Sequence, residues 1–171
     1  IDGFLDDPNP ARRDLPIKER LTFDAGLEEY PALAPDGETF LFVSTAAGNA
    51  DIYLRRVDGR NVTNLTARSL AADFQPAFSA DGSRIAFRSS RDGGGIFVMG
   101  ATGESVRRLT TLGYNPSWAP DGSRIAFSTE SIRFTPSNRS TVARLWTADA
   151  ESGATRQITA ELDAVQPSWS P

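Results

Sequence analysis

Three observations predict an all-β chain built from four-stranded antiparallel blades. The phrase Tyr30-Pro31-Ala32-Leu33-Ala34-Pro35-Asp36-Gly37 returns as Gln75-Pro76-Ala77-Phe78-Ser79-Ala80-Asp81-Gly82 and again as Asn115-Pro116-Ser117-Trp118-Ala119-Pro120-Asp121-Gly122. Its Asp-Gly pairs stand 45 and then 40 residues apart, the period of one propeller blade. Between copies lie short apolar runs bounded by turn residues, which read as buried strands. The fold class is therefore a β-propeller, with three complete blades and parts of others, an incomplete ring over the 171 residues given.

The elements follow in order. Residues 1–17 hold three prolines among Asp and Arg clusters, the composition of a linker or tether. Residues 18–23, ending Arg20-Leu21-Thr22, resemble the last strand of a blade with no earlier strands before it. They read as the outer strand of a composite blade, whose inner strand starts at 166–171 with Gln166-Pro167-Ser168-Trp169. The whole blades are 30–66, 75–110 and 115–159, and 18–171 is one partial propeller.

Within each blade the recurrent phrase supplies the inner strand, which carries Leu33, Phe78 or Trp118. Asp-Gly closes a tight turn, because Gly accepts positive φ and the Asp carboxylate can take nearby backbone N–H groups. The second strand reads Phe40-Leu41-Phe42, Ile85-Ala86-Phe87 or Ile125-Ala126-Phe127, and the third Ile52-Tyr53-Leu54, Ile96-Phe97-Val98 or Leu145-Trp146-Thr147. Runs without clean alternation belong to strands covered on both faces. The polar fourth strand ends Leu65-Thr66, Leu109-Thr110 or Ile158-Thr159, as an edge that must not recruit another sheet should be polar.

Composition excludes several functions. A net charge of −4 with both signs interspersed leaves no basic stripe for phosphate backbones, so no nucleic-acid partner is expected. No run of 18 apolar residues occurs, so no direct membrane insertion is expected. With no His and no Cys, a Ser-His-Asp triad, a thiol nucleophile and thiolate or imidazole metal sites are all ruled out. No catalytic residues, metal or cofactor are expected.

The remaining candidates are weighed against structural roles. Asp36, Asp81 and Asp121 occupy equivalent turns, which predicts turn caps too far apart around the ring to form one site. Asp51 and Asp92 are too few for a calcium site that wants six or more oxygens. Asp92-Gly93-Gly94-Gly95 lacks the lysine of a phosphate loop and sits between strands, as a hairpin does.

The third blade carries about nine extra residues between its second and third strands, and such insertions often lie on the binding face of repeat proteins. There Ile132 and Phe134, flanked by Arg133 and Arg139, combine apolar anchors with Arg; the alternative is a loop packed on its own blade. On the same face the loops entering each inner strand bring Glu29, Tyr30, Phe74, Gln75, Tyr114, Asn115 and Gln166 towards the mouth of the central channel. These eleven residues form the candidate partner surface. Tyr30, Gln75, Asn115 and Gln166 stand just ahead of the recurrent proline, where capping the inner strands is an equal reading.

The copy from Gln75 to Thr110 closely follows the pattern P-x-[FW]-S-P-D-G-x-x-I-A-F, D-I-[YF]-V-M, R-x-L-T, apart from Ala80 and Gly95. In it the chain resembles the TolB-type Pro-Asp propeller repeat. That resemblance implies a rigid, non-enzymatic module for protein interaction or ligand sensing, part of a larger bacterial envelope or signalling protein. It favours a periplasmic or extracytoplasmic location. The alternative it implies is a propeller gating substrates for a serine peptidase or lyase domain outside this chain. A protein partner is expected, and a homodimer if the chain is complete.

Overall fold

The computed structural model describes residues 26–130, 142–159 and 164–170. The expectations for 1–17, 18–23, Ile132, Arg133, Phe134, Arg139 and Pro171 lie outside the described residues.

Among the described residues twelve strands form three four-stranded sheets, each antiparallel and each in sequence order from the inside outwards. The first blade holds β1 (Glu28–Leu33), β2 (Thr39–Ser44), β3 (Asp51–Arg56) and β4 (Val62–Asn64). The second holds β5 (Asp73–Phe78), β6 (Arg84–Ser89), β7 (Gly95–Gly100) and β8 (Arg107–Arg108). The third holds β9 (Tyr114–Trp118), β10 (Arg124–Ser128), β11 (Leu145–Asp149) and β12 (Thr155–Gln157). Residues 164–170 carry no regular secondary structure. No helix among the described residues is long and apolar enough to cross a membrane.

Register explains the doubly apolar strands. In β6 and β7, Ile85 pairs with Met99 and Phe87 with Phe97, while Ala86 pairs with Val98. Strand pleating sends these pairs to opposite faces. The first set packs on Leu41, Val43 and Ile52 of blade 1; Ala86, Ile96 and Val98 pack on Trp118, Ile125 and Phe127 of blade 3. Each interface thus sets an aromatic-bearing face against a smaller aliphatic one, and Phe87 and Phe127 are buried at equivalent positions.

Polar groups repeat as faithfully. The hydroxyls of Thr66, Thr110 and Thr159 accept from Ile52 N (3.0 Å), Ile96 N (3.0 Å) and Leu145 N (2.9 Å), so the recurrent Thr ties the end of the fourth strand to the start of the third. The turn aspartates cap as their sequence setting predicts: Glu38 N donates to Asp36 Oδ1 (2.8 Å), Ser83 N to Asp81 Oδ1 (3.1 Å) and Ser123 N to Asp121 Oδ1 (2.9 Å).

Candidate functional site

Proline has no N–H to give a ladder, and every inner strand carries one in its middle. The pairing accordingly slips between Glu29 and Ala32, between Phe74 and Ala77, and opposite Ala126 and Ser128. At each slip the residue ahead of the proline turns left-handed, with φ of 54° at Tyr30, 54° at Gln75 and 52° at Asn115. None of the three is glycine, and such a conformation costs roughly 1–3 kcal/mol per residue.

The bulges aim these residues at one place. Tyr30-Pro31, Gln75-Pro76, Asn115-Pro116 and Gln166-Pro167, with Ser117, line a cavity of about 260 Å³ where the inner strands converge. No charged side chain is among them. Two of these residues also link neighbouring blades: Gln75 Oε1 accepts from Asn115 N at 2.9 Å, and Asn115 Nδ2 donates to Val165 O at 2.7 Å. All four residues ahead of these prolines thus line the cavity, and those at the bulges of Gln75 and Asn115 also bond the backbone of the segment that follows.

The other candidates stand around this rim. Phe74 meets Tyr30 edge to face at 6.4 Å between ring centroids and packs against the core between blades 1 and 2. Tyr114 lies under the guanidinium of Arg88, 5.0 Å away. Glu29, half-buried in β1 opposite Val43, does not line the cavity. Gln166 is exposed. Sequence reasoning passed over Arg88, although its signal was present: Val43 and Ser128 hold the same place in the other blades.

The opposite mouth corrects one expectation. Asp36 and Asp81, expected too far apart to share a site, line one cavity of about 280 Å³ between blades 1 and 2, because adjacent inner-strand turns close up near the axis. Their carboxylates serve their own turns. Ser79 Oγ (2.6 Å) and Ser83 Oγ (2.8 Å) donate to Asp81 and hold its pKa down at about 2.

Asp51 is likewise filled by neutral donors, accepting from Asn49 Nδ2 (3.0 Å), Asn64 Nδ2 (2.8 Å) and Thr66 Oγ1 (3.3 Å). No group of three or more acidic side chains suited to a metal occurs among the described residues. The glycine-rich segment is a hairpin connection, a 3-10 turn at Arg91–Gly93 joining β6 to β7.

Comparison with known proteins agrees with this architecture. The chain is similar to TolB from Acinetobacter baumannii, with a TM-score of 0.71 and 23% identity over 86% of this chain and 36% of that one. A TolB-like protein from Agrobacterium tumefaciens gives 0.66 and 27%, covering 78% of this chain and 50% of that one. An uncharacterised protein of Agrobacterium fabrum is 34% identical over 76 residues, 44% of this chain and 26% of the relative. The chain therefore spans half or less of the length of these relatives. Enzymes also carry the fold: an oligogalacturonate lyase from Vibrio parahaemolyticus superposes with a TM-score of 0.58 at 17% identity, over 74% of this chain and 37% of that one. The family model of the TolB β-propeller domain matches residues 17–171, and the chain belongs to that family.

Proposed function

We propose that this chain is a non-catalytic docking module whose contact surface is the rim of the channel mouth, in a larger bacterial protein of the envelope or of a signalling system. The observation that carries this reading is the convergence of four X-Pro steps on one uncharged cavity, three of them with a left-handed residue ahead of the proline. Strain repeated at one place marks functional surfaces in folded proteins, and concave sites with a few converging polar groups are where ligands bind. The rim combines Tyr30, Phe74 and Tyr114 with the amides Gln75, Asn115 and Gln166, a mixture suited to a protein surface. Ile132, Arg133, Phe134 and Arg139 of the third-blade insertion, together with Glu29, extend the proposed surface. An extracytoplasmic location follows from the family resemblance.

Site-specific photo-crosslinking in bacteria tests this. A photoreactive residue at Tyr30 or Gln166 should trap a discrete protein partner, and one at Arg56, on the outer part of blade 1, should not. Crosslinks confined to the outer strands would overturn the reading.

The lyase-type relatives support a second reading, in which the propeller gates substrates for a hydrolase or lyase domain outside this chain. A longer reading frame with a downstream G-x-S-x-G nucleophile motif, and partner-free crosslinking at Tyr30, would favour it.

A further inference from the structure

Blade 2 departs from the repeat at several coupled positions beside the mouth. Arg88 stands where the other blades have Val43 and Ser128, both buried. Gly94 stands where they have Ala50 and Ala143, also buried. The two departures are linked sterically: a Cβ at Gly94 would lie 2.7 Å from Arg88 Nη2 and 2.8 Å from Nη1. Gly94 also holds φ at 97°, a left-handed conformation that by itself favours glycine. A second arginine, Arg108, stands where the other blades have Asn64 and Gln157. It donates to the carbonyls of Asp92 (2.9 Å), Gly94 (2.5 Å) and Thr110 (3.0 Å), so Gly94 lies between two guanidinium groups.

Neither cation has an acidic counterpart among the described residues. Among the described residues the ion pairs involve Arg56, Arg84 and Arg91, and no carboxylate pairs with Arg88 or Arg108. Arg88 is held over the Tyr114 ring, its Nη1 donates to Gly95 O at a long 3.4 Å, and its Nε is enclosed without a partner. An enclosed guanidinium N–H without an acceptor is costly; Arg88 keeps one such donor unsatisfied, while Arg108 is held in place by backbone carbonyls. A purely structural role at position 88 would be served by the valine that blade 1 uses.

We infer that Arg88, backed by Arg108, forms a carboxylate-binding subsite for an acidic segment of a protein partner. This rests on the reading of the mouth rim as a docking face. The planar fork of arginine matches a carboxylate, and the Tyr114 ring lies 5.0 Å from it. A protein is favoured as the source because Leu112, half-exposed beside the Thr111 carbonyl that Arg108 also touches, offers an apolar contact next to the charge.

The test is fluorescence anisotropy on the 171-residue chain with a labelled peptide Leu-Glu-Glu-Leu-Glu-Glu and its all-Gln counterpart. The acidic peptide should bind more tightly than the neutral one, weaken as salt rises, and lose at least about tenfold in affinity on Arg88→Gln, in line with a charge-assisted bond. The variant Arg88→Val installs the residue of blade 1 and leaves Gly94, whose φ of 97° favours glycine, untouched. It should fold, as checked by its melting temperature, and lose binding likewise. Equal binding by either variant, or no preference for the acidic peptide, overturns the inference. So does displacement of the peptide by a uronate trisaccharide of higher affinity, which would make the occupant a sugar. Failure of the unsubstituted chain to bind the acidic peptide, with crosslinks at Tyr30 retained, would sink the subsite and spare the docking face; peptide binding without crosslinks at Tyr30 would do the reverse.

Discussion

Trp118 donates its indole Nε1–H across the blade boundary to the carbonyl oxygen of Ala77, at 3.2 Å. Trp169 repeats the contact one blade further on, to Ser117 O at 3.0 Å. In both cases an arginine from the preceding blade covers the ring: Arg84 lies 4.5 Å from the Trp118 centroid and Arg124 lies 5.4 Å from that of Trp169. The large residue of the inner strand is thus a latch between blades. In blade 1 its counterpart Leu33 remains 62% exposed.

Trp118→Phe keeps the ring and removes the donor. The Ala77 carbonyl then loses its partner, and stability should fall by about 1–2 kcal/mol. Urea denaturation would report this as a lower midpoint at unchanged slope; an unchanged midpoint would mean that the indole bond contributes nothing.

Phe87 is fully buried between blades 1 and 2, with its ring 5.9 Å from that of Phe97. Phe87→Ala should cost about 3–5 kcal/mol, the range for deleting a core aromatic. Phe40→Ala makes no cavity between these two blades, so hydrogen exchange at Ile85 and Ile96 should quicken only in the Phe87 variant.

Asp73, fully buried, pairs with Arg91 at 2.6 Å, and Arg91 Nε donates to Ser69 Oγ at 2.8 Å, tying blade 2 to the loop that leaves blade 1. Burial raises the Asp73 pKa above its ordinary 3.8, outweighing the hydroxyls and the arginine that pull it down. A carboxyl raised in the folded state contributes stability that is full below its unfolded value and fades as pH rises through the folded one. Asp73→Ala should cost about 3 kcal/mol at neutral pH by stranding Arg91. Asp73→Asn should remove this group's pH dependence above 3.8. A pH–stability profile that overlays wild type in the Asn variant would contradict the assignment.

Asp81 behaves in the opposite sense. Its pKa, lowered to about 2 by Ser79 and Ser83, gives a contribution present above the unfolded value and lost as pH falls through about 2. A carboxyl-carbon NMR titration should place the midpoint near 2 in wild type. In Ser79→Ala it should move up towards 3.8, since the largest cause is removed. A midpoint that ignores the substitution would show that Ser79 does not hold the charge.

Much of this molecule follows from local chemistry repeated at a fixed interval. Asp-Gly requires a tight turn wherever it occurs, apolar triplets require cover on both faces, and the Leu-Thr ending supplies a hydroxyl to the start of the third strand. The blade class and its strand order were therefore readable from the chain, as was the gathering of Tyr30, Gln75, Asn115 and Gln166 at one mouth. Other features depend on distances between blades, which no single repeat encodes. The left-handed turn ahead of each proline, the link from Gln75 to Asn115 and the approach of Asp36 to Asp81 arise only when blades pack side by side and the inner strands crowd the axis. Arg88 shows the division most clearly. The departure from Val43 and Ser128 is visible in the sequence, but only the tertiary structure, by placing Gly94 against the guanidinium and withholding a carboxylate, gives it a physical meaning.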